Sequence, residues 1–109
     1  MLKIDAYVFN PFQENTWVIS HSSGNCLVID PGCSNAQEQQ SLLQFLDKNQ
    51  LIPNEVWLTH AHIDHVLGVD WLCRTYKIPL RASKASLPLI ESLPDICRMY
   101  GFPPAHCPK

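Results

Sequence analysis

From its first residues the chain alternates: Leu2, Ile4, Ala6 and Val8 interleave with Lys3, Asp5, Tyr7 and Phe9, the period-two pattern of a strand with one clearly apolar face. Asn10-Pro11 ends it. Thr16 to Ser20 and Cys26 to Asp30 read as two further strands, joined across His21-Ser22-Ser23-Gly24-Asn25, whose Ser-Gly-Asn content makes a hairpin turn. His21, in that turn, is a solvated surface histidine. The period then changes. Asn35-Ala36-Gln37-Glu38 has the form of a capping box, with Asn35 satisfying an early amide and Glu38 reaching back. A helix follows to about Asn49, with Leu42, Leu43, Phe45 and Leu46 as its buried stripe. Pro53 closes a linker, and Glu55-Val56-Trp57-Leu58-Thr59 has the β-branched and aromatic content of a strand.

Val69, Trp71, Leu72 and Tyr76 are then spaced for a helix. A short strand around Leu80 to Ala82 comes next, then a helical run through Leu87, Leu89, Ile90 and Leu93, and a turn or two of helix over Asp95 to Tyr100. Strand, helix and strand in that order imply a right-handed parallel crossover, so the class is α/β. Trp17, Trp57 and Trp71 each fall on an apolar face of their element and read as core aromatics. Pro103, Pro104 and Pro108 leave residues 103–109 as an irregular tail behind a single domain over residues 1–102.

Composition narrows the function classes. At 109 residues and 46% hydrophobic content the chain supports one small core. Its net charge is −2 and its 8 basic residues are scattered, which argues against nucleic-acid binding and against a polybasic membrane patch. No stretch approaches the roughly 20 apolar residues of a membrane span, and Met1-Leu2-Lys3-Ile4-Asp5 lacks a signal-peptide core, so a cytoplasmic location is expected. Five cysteines with no Cys-x-x-Cys pair point to reduced thiols. Cys26 and Cys73 read as small core hydrophobes, while Cys33 follows Asp30-Pro31-Gly32 and falls near the chemistry described next.

That chemistry is concentrated in His60-Ala61-His62-Ile63-Asp64-His65, which holds three of the five histidines and a carboxylate. A turn built only to reverse the chain would use Gly, Pro, Asn, Asp and Ser. Imidazole nitrogens and a carboxylate oxygen instead suit zinc, and iron or manganese accept the same set. In an extended segment residues two apart point the same way, so His60 and His62 can close on one ion. Asp64 and His65, past the bend, are suited to a second. The cluster lies between a strand and a helix, where α/β sheets bind ligands. Asp30-Pro31-Gly32 also ends a buried-looking strand. It is either ordinary turn chemistry or a carboxylate that reaches the metal shell and orients a ligand imidazole.

Thr59-His60-Ala61-His62-Ile63-Asp64-His65 resembles the signature loop of the metallo-beta-lactamase superfamily, and its surroundings are similar to the glyoxalase II-like (hydroxyacylglutathione hydrolase-like) hydrolases. Asn10-Pro11-Phe12-Gln13-Glu14-Asn15-Thr16, Val28-Ile29-Asp30-Pro31-Gly32 and Gly68 extend the likeness to about Phe102. The resemblance implies the amino-terminal half of an αββα sandwich, a mixed sheet with helices packed on it. It implies His60 and His62 on the first metal, Asp64 and His65 on the second, and Asp30 behind them. The activity implied is zinc-dependent hydrolysis of a thioester or ester by a metal-bound hydroxide, which Asp64 holds in line.

The family carries a further metal-binding histidine, a bridging aspartate and a last histidine downstream, and nothing after His65 supplies them. A catalytic zinc usually takes three protein ligands and a water, so two per ion leaves both sites short. His106 and Cys107 are the later residues of suitable type, but neighbours in extended chain point oppositely and they match no family ligand position. The chain is therefore expected to be incomplete and inactive alone. Two alternatives stand beside the hydrolase. One is an iron-dependent, persulfide dioxygenase-like oxidoreductase; the other is a non-catalytic metal-binding half-domain, with a second copy covering the missing half.

Overall fold

Five strands hydrogen-bond in chain order into one mixed sheet: β1 (Leu2–Phe9), β2 (Glu14–His21), β3 (Asn25–Ile29), β4 (Ile52–Trp57) and β5 (Leu80–Arg81). The computed structural model describes residues 2–10, 12–59, 63–82 and 87–99, and at 63, 64, 87 and 89 the backbone alone. The first three strands run antiparallel, as the short turns between them require. β3, β4 and β5 run parallel, with β4 and β5 each reached through helical connections. These are α1 (Ala36–Lys48) before β4, then α2 (Ile63–Val66) and α3 (Val69–Tyr76) before β5; α4 (Leu87–Glu91) and α5 (Leu93–Met99) follow. The tail at 103–109 lies outside the described residues.

Register assigns the two faces of the sheet. Phe9 pairs with Glu14, Val18 with Val28, Ser20 with Cys26, and Val28 with Val56, and all of these residues are buried. They pack with Leu42 and Leu46 of α1, Val69 and Leu72 of α3, and Leu93 of α5 as one core. Tyr7 adds an edge-on contact with Phe45 of α1 at 5.3 Å between ring centres.

The other face departs from expectation. The apolar side of β1 is the uncovered one: Leu2, Ile4 and Val8 are 67%, 63% and 61% exposed. Ala6, Trp17, Ile29, Trp57 and Arg81 lie in one row across the five strands on this open side. Trp17 and Trp57 are therefore exposed rather than core aromatics, whereas Trp71 is half-buried. Alternation marks which side of a strand is apolar, but not whether anything covers it.

Two local differences have simple causes. β4 starts at Ile52, so Pro53 is inside the strand, and the ladder with β3 shifts register between Cys26 and Leu27 beside it. Proline has no N–H to donate, and a bulge absorbs the missing rung. At α1 the Asn35 side chain accepts from the Glu38 amide at 2.8 Å, as a capping box should. Glu38, however, accepts from Ser34 N–H at 2.7 Å and from the Asn10 N–H at 2.6 Å, so it ties the helix start to the β1–β2 turn.

Candidate metal centre

The cluster forms where three strands present the same end. β3 and β4 are parallel, so Asp30 just after β3 and Thr59 just after β4 lie together, and β2, antiparallel to β3, begins there with Glu14. This is the carboxyl edge of the parallel strands, where α/β sheets open toward ligands. His65 is brought to it by α2.

Asp30 is the hub. It is 3% exposed and adopts a left-handed backbone at φ 54°, which turns its side chain back under the next loop. Its own N–H continues the ladder to the Trp57 carbonyl at 2.9 Å. Its carboxylate accepts from Thr59 N–H at 2.8 Å, from Thr59 Oγ1 at 2.5 Å and from His65 Nδ1 at 3.0 Å. A carboxylate oxygen accepts, so in that last bond Nδ1 is the donor and Nε2 is the other ring nitrogen.

Glu14 completes the group. One polar atom from each of Glu14, Asp30 and His65 lies within 4.8 Å of the others, so groups of the kinds that ligate a metal or back its ligands converge here. Glu14 was not among the residues singled out by sequence, although the signal was present. It stands at even spacing from Thr16 and Val18 on β2, and that parity puts an acid on the buried face. A cleft of about 370 Å³ opens beside the cluster, lined by Phe12, Gln13, Trp17, Thr59 and His65 among others.

His60 and His62 lie outside the described residues. Asp64 is in α2 with its backbone alone described. His106 and Cys107 also lie outside. Cys33 is fully buried and its thiol is pushed up to about 12, first by desolvation and then by Glu38 and Glu14, so it carries no thiolate chemistry at neutral pH. Burial likewise raises Cys26 and Cys73 to about 11, which fits core thiols. His21 is exposed at the end of β2, one residue before the turn, and bonds Ser23. Among the described residues no helix is long and apolar enough to cross a membrane.

Known proteins resemble this chain in sequence and in fold. The hydroxyacylglutathione hydrolase of Serratia proteamaculans (strain 568) is 39% identical over 66 residues, covering 60% of this chain and 24% of that enzyme. In structure the chain is similar to TTHA1623, solved in a di-iron-bound form, with a TM-score of 0.81 and 31% identity. It is equally similar to the BLEG-1 B3 metallo-beta-lactamase, with a TM-score of 0.81 and 26% identity. Those matches cover 96% and 97% of this chain but 50% of each solved one, so the chain spans about half their length. The family model of the superfamily itself matches residues 9–102, from the end of β1 through the whole Asp30, Thr59 and His65 framework. The mixed sheet with helices packed on one side is a fold these solved structures share, and the chain belongs to the metallo-beta-lactamase superfamily.

Proposed function

We propose that this chain carries the amino-terminal metal-binding half of a glyoxalase II-type hydrolase acting on a thioester or ester. The observation that carries it is His65, held at Nδ1 by buried Asp30, at the strand edge of a chain similar to hydroxyacylglutathione hydrolases. In this reading His60 and His62 serve one ion, and Asp64 and His65 serve another. Zinc suits these donors. Bound there, the ions would supply Lewis acidity and a water ionised near neutral pH.

The chain's own residues do the rest. Asp30 fixes the ring of His65 and, through Thr59, the end of β4 that leads into His60. Asp64, one residue before His65, would orient the attacking water. The donors expected downstream in the family would complete the coordination. The test is acylglutathione hydrolysis by the native gene product before and after chelation, with zinc restored. Activity indifferent to the chelator overturns the reading.

The di-iron form of TTHA1623 supports iron as the alternative metal, the element that the persulfide dioxygenase-like reading needs. Elemental analysis decides: stoichiometric iron with oxygen uptake displaces the hydrolase. The open sheet face supports a further element, pairing of two copies. A sheet with helices on one side must bury its second apolar face, and a two-fold axis lets the same patch serve both partners. A purely monomeric sedimentation profile at high concentration would remove the pairing.

A further inference from the structure

We infer that Glu14 is a positioning residue of this centre: together with Asp30 it holds the Nδ1 side of the His65 ring, so that Nε2 is the nitrogen offered to a metal. The inference rests on the metal-centre reading above. Glu14 Oε1 lies 3.9 Å from His65 Nδ1, while Asp30 Oδ2 lies 3.0 Å from the same nitrogen. The shorter contact is a hydrogen bond and the longer one acts through charge. Two carboxyl groups on one side of the ring favour the N–H there and disfavour the flipped ring, whose Cδ2–H edge would face both of them. The Glu14 side chain is fully excluded from solvent and that of His65 is 18% exposed, so water screens little of this field.

The surrounding chain holds Glu14 in register. Its Oε2 accepts from Thr16 Oγ1 at 3.1 Å, and Thr16 Oγ1 in turn lies 3.0 Å from the Asp30 carbonyl and accepts from Gly32 N–H at 3.1 Å. The turn before it is fixed by Asn10, which donates from Nδ2 to the Gly32 carbonyl at 3.0 Å and accepts from Phe12 N–H at 2.9 Å. Asn10 and Gln13 both adopt left-handed backbones, joined by the bond from Gln13 N–H to the Asn10 carbonyl at 3.1 Å. Placing a carboxylate here costs desolvation that an apolar side chain at the same point would avoid. Packing alone does not explain its presence beside the imidazole.

Glu14→Gln keeps the shape and the bond with Thr16 but removes the charge; Glu14→Asp keeps the charge and withdraws it. Two readouts are taken on the 109-residue chain: the His65 tautomer in the metal-free protein, from long-range 1H–15N spectra, and the Zn²⁺ dissociation constant against a chromophoric chelator. The wild type should show Nδ1–H. Glu14→Gln should populate the other tautomer and weaken Zn²⁺ by roughly 10- to 100-fold, with Glu14→Asp between them. Unchanged tautomer and affinity in Glu14→Gln, or Zn²⁺ perturbing Nδ1 instead of Nε2, overturns the inference. A wild type that binds no Zn²⁺ or Fe²⁺ overturns the metal-centre reading instead, and the tautomer then decides Glu14 by itself. If Glu14→Gln fails to fold, Glu14→Asp with wild-type tautomer and affinity overturns it, and a shift in both supports it.

Discussion

Thr16 shows how much one side chain can carry. It sits in a strand where valine would have the better propensity, yet it is fully buried, and its hydroxyl links Glu14, the Asp30 carbonyl and the Gly32 amide. Thr16→Val preserves volume and strands the Gly32 N–H, so a loss of about 2 kcal/mol is expected in urea unfolding. A change within experimental error would mean the amide finds another acceptor. The cysteines give a second residue-scale prediction. Burial raises Cys26 and Cys73 from 9.0 to about 11, and Cys33 to about 12. The unfolded chain therefore releases these protons above pH 9 while the native one keeps them, and stability falls as pH rises. The urea midpoint should be insensitive to these thiols below pH 9 and decline from there toward pH 11 to 12. A midpoint that climbs through that window contradicts the burial.

At the scale of elements the junctions matter more than the elements. α3 begins at Gly68, where an added Cβ would lie 3.0 Å from the Pro31 carbonyl oxygen and 3.1 Å from the Cys33 nitrogen. The Gly68 N–H donates to that same carbonyl at 2.8 Å, so the approach cannot simply be relaxed. Gly68→Ala should cost about 1–3 kcal/mol by overpacking. It should also displace the 31–33 loop next to Asp30, weakening metal binding along with stability. Calorimetry and a Zn²⁺ titration check the two effects separately. Helix α1 makes the complementary point, since its capping acid Glu38 is spent on Ser34 and Asn10 and not on its own cap residue. The box was legible as a spacing, but its partner was not, because Asn10 is 28 residues away in sequence.

For the whole molecule the governing fact is that, among the described residues, one apolar sheet face has no cover. Contiguous exposed apolar surface of this kind marks an interaction site or an aggregation liability. Ile4→Glu, on the open side of β1, should reduce self-association in sedimentation while moving the unfolding midpoint by less than about 1 kcal/mol. Loss of the fold instead would show that Ile4 is needed by the monomer. On the same face, Trp57 and Arg81 both donate to Glu55, and these bonds hold its carboxyl below the usual carboxylate range. This polar cluster lies beside the bare aromatic row.

Strand and helix periods, the helix cap at Asn35 and the histidine-rich loop at 60–65 could all be read from the sequence, because each is a pattern over a few neighbouring residues. The same patterns marked Asp30 as a candidate and the cysteines as reduced thiols. Tertiary structure alone decided that the apolar side of β1 is the open one, that Trp17 and Trp57 lie on it, and that Glu14 meets Asp30 and His65 across 16 and 51 positions of chain. Those outcomes depend on strand order and register, where segments far apart in sequence are brought within hydrogen-bond reach, and no local period encodes that distance.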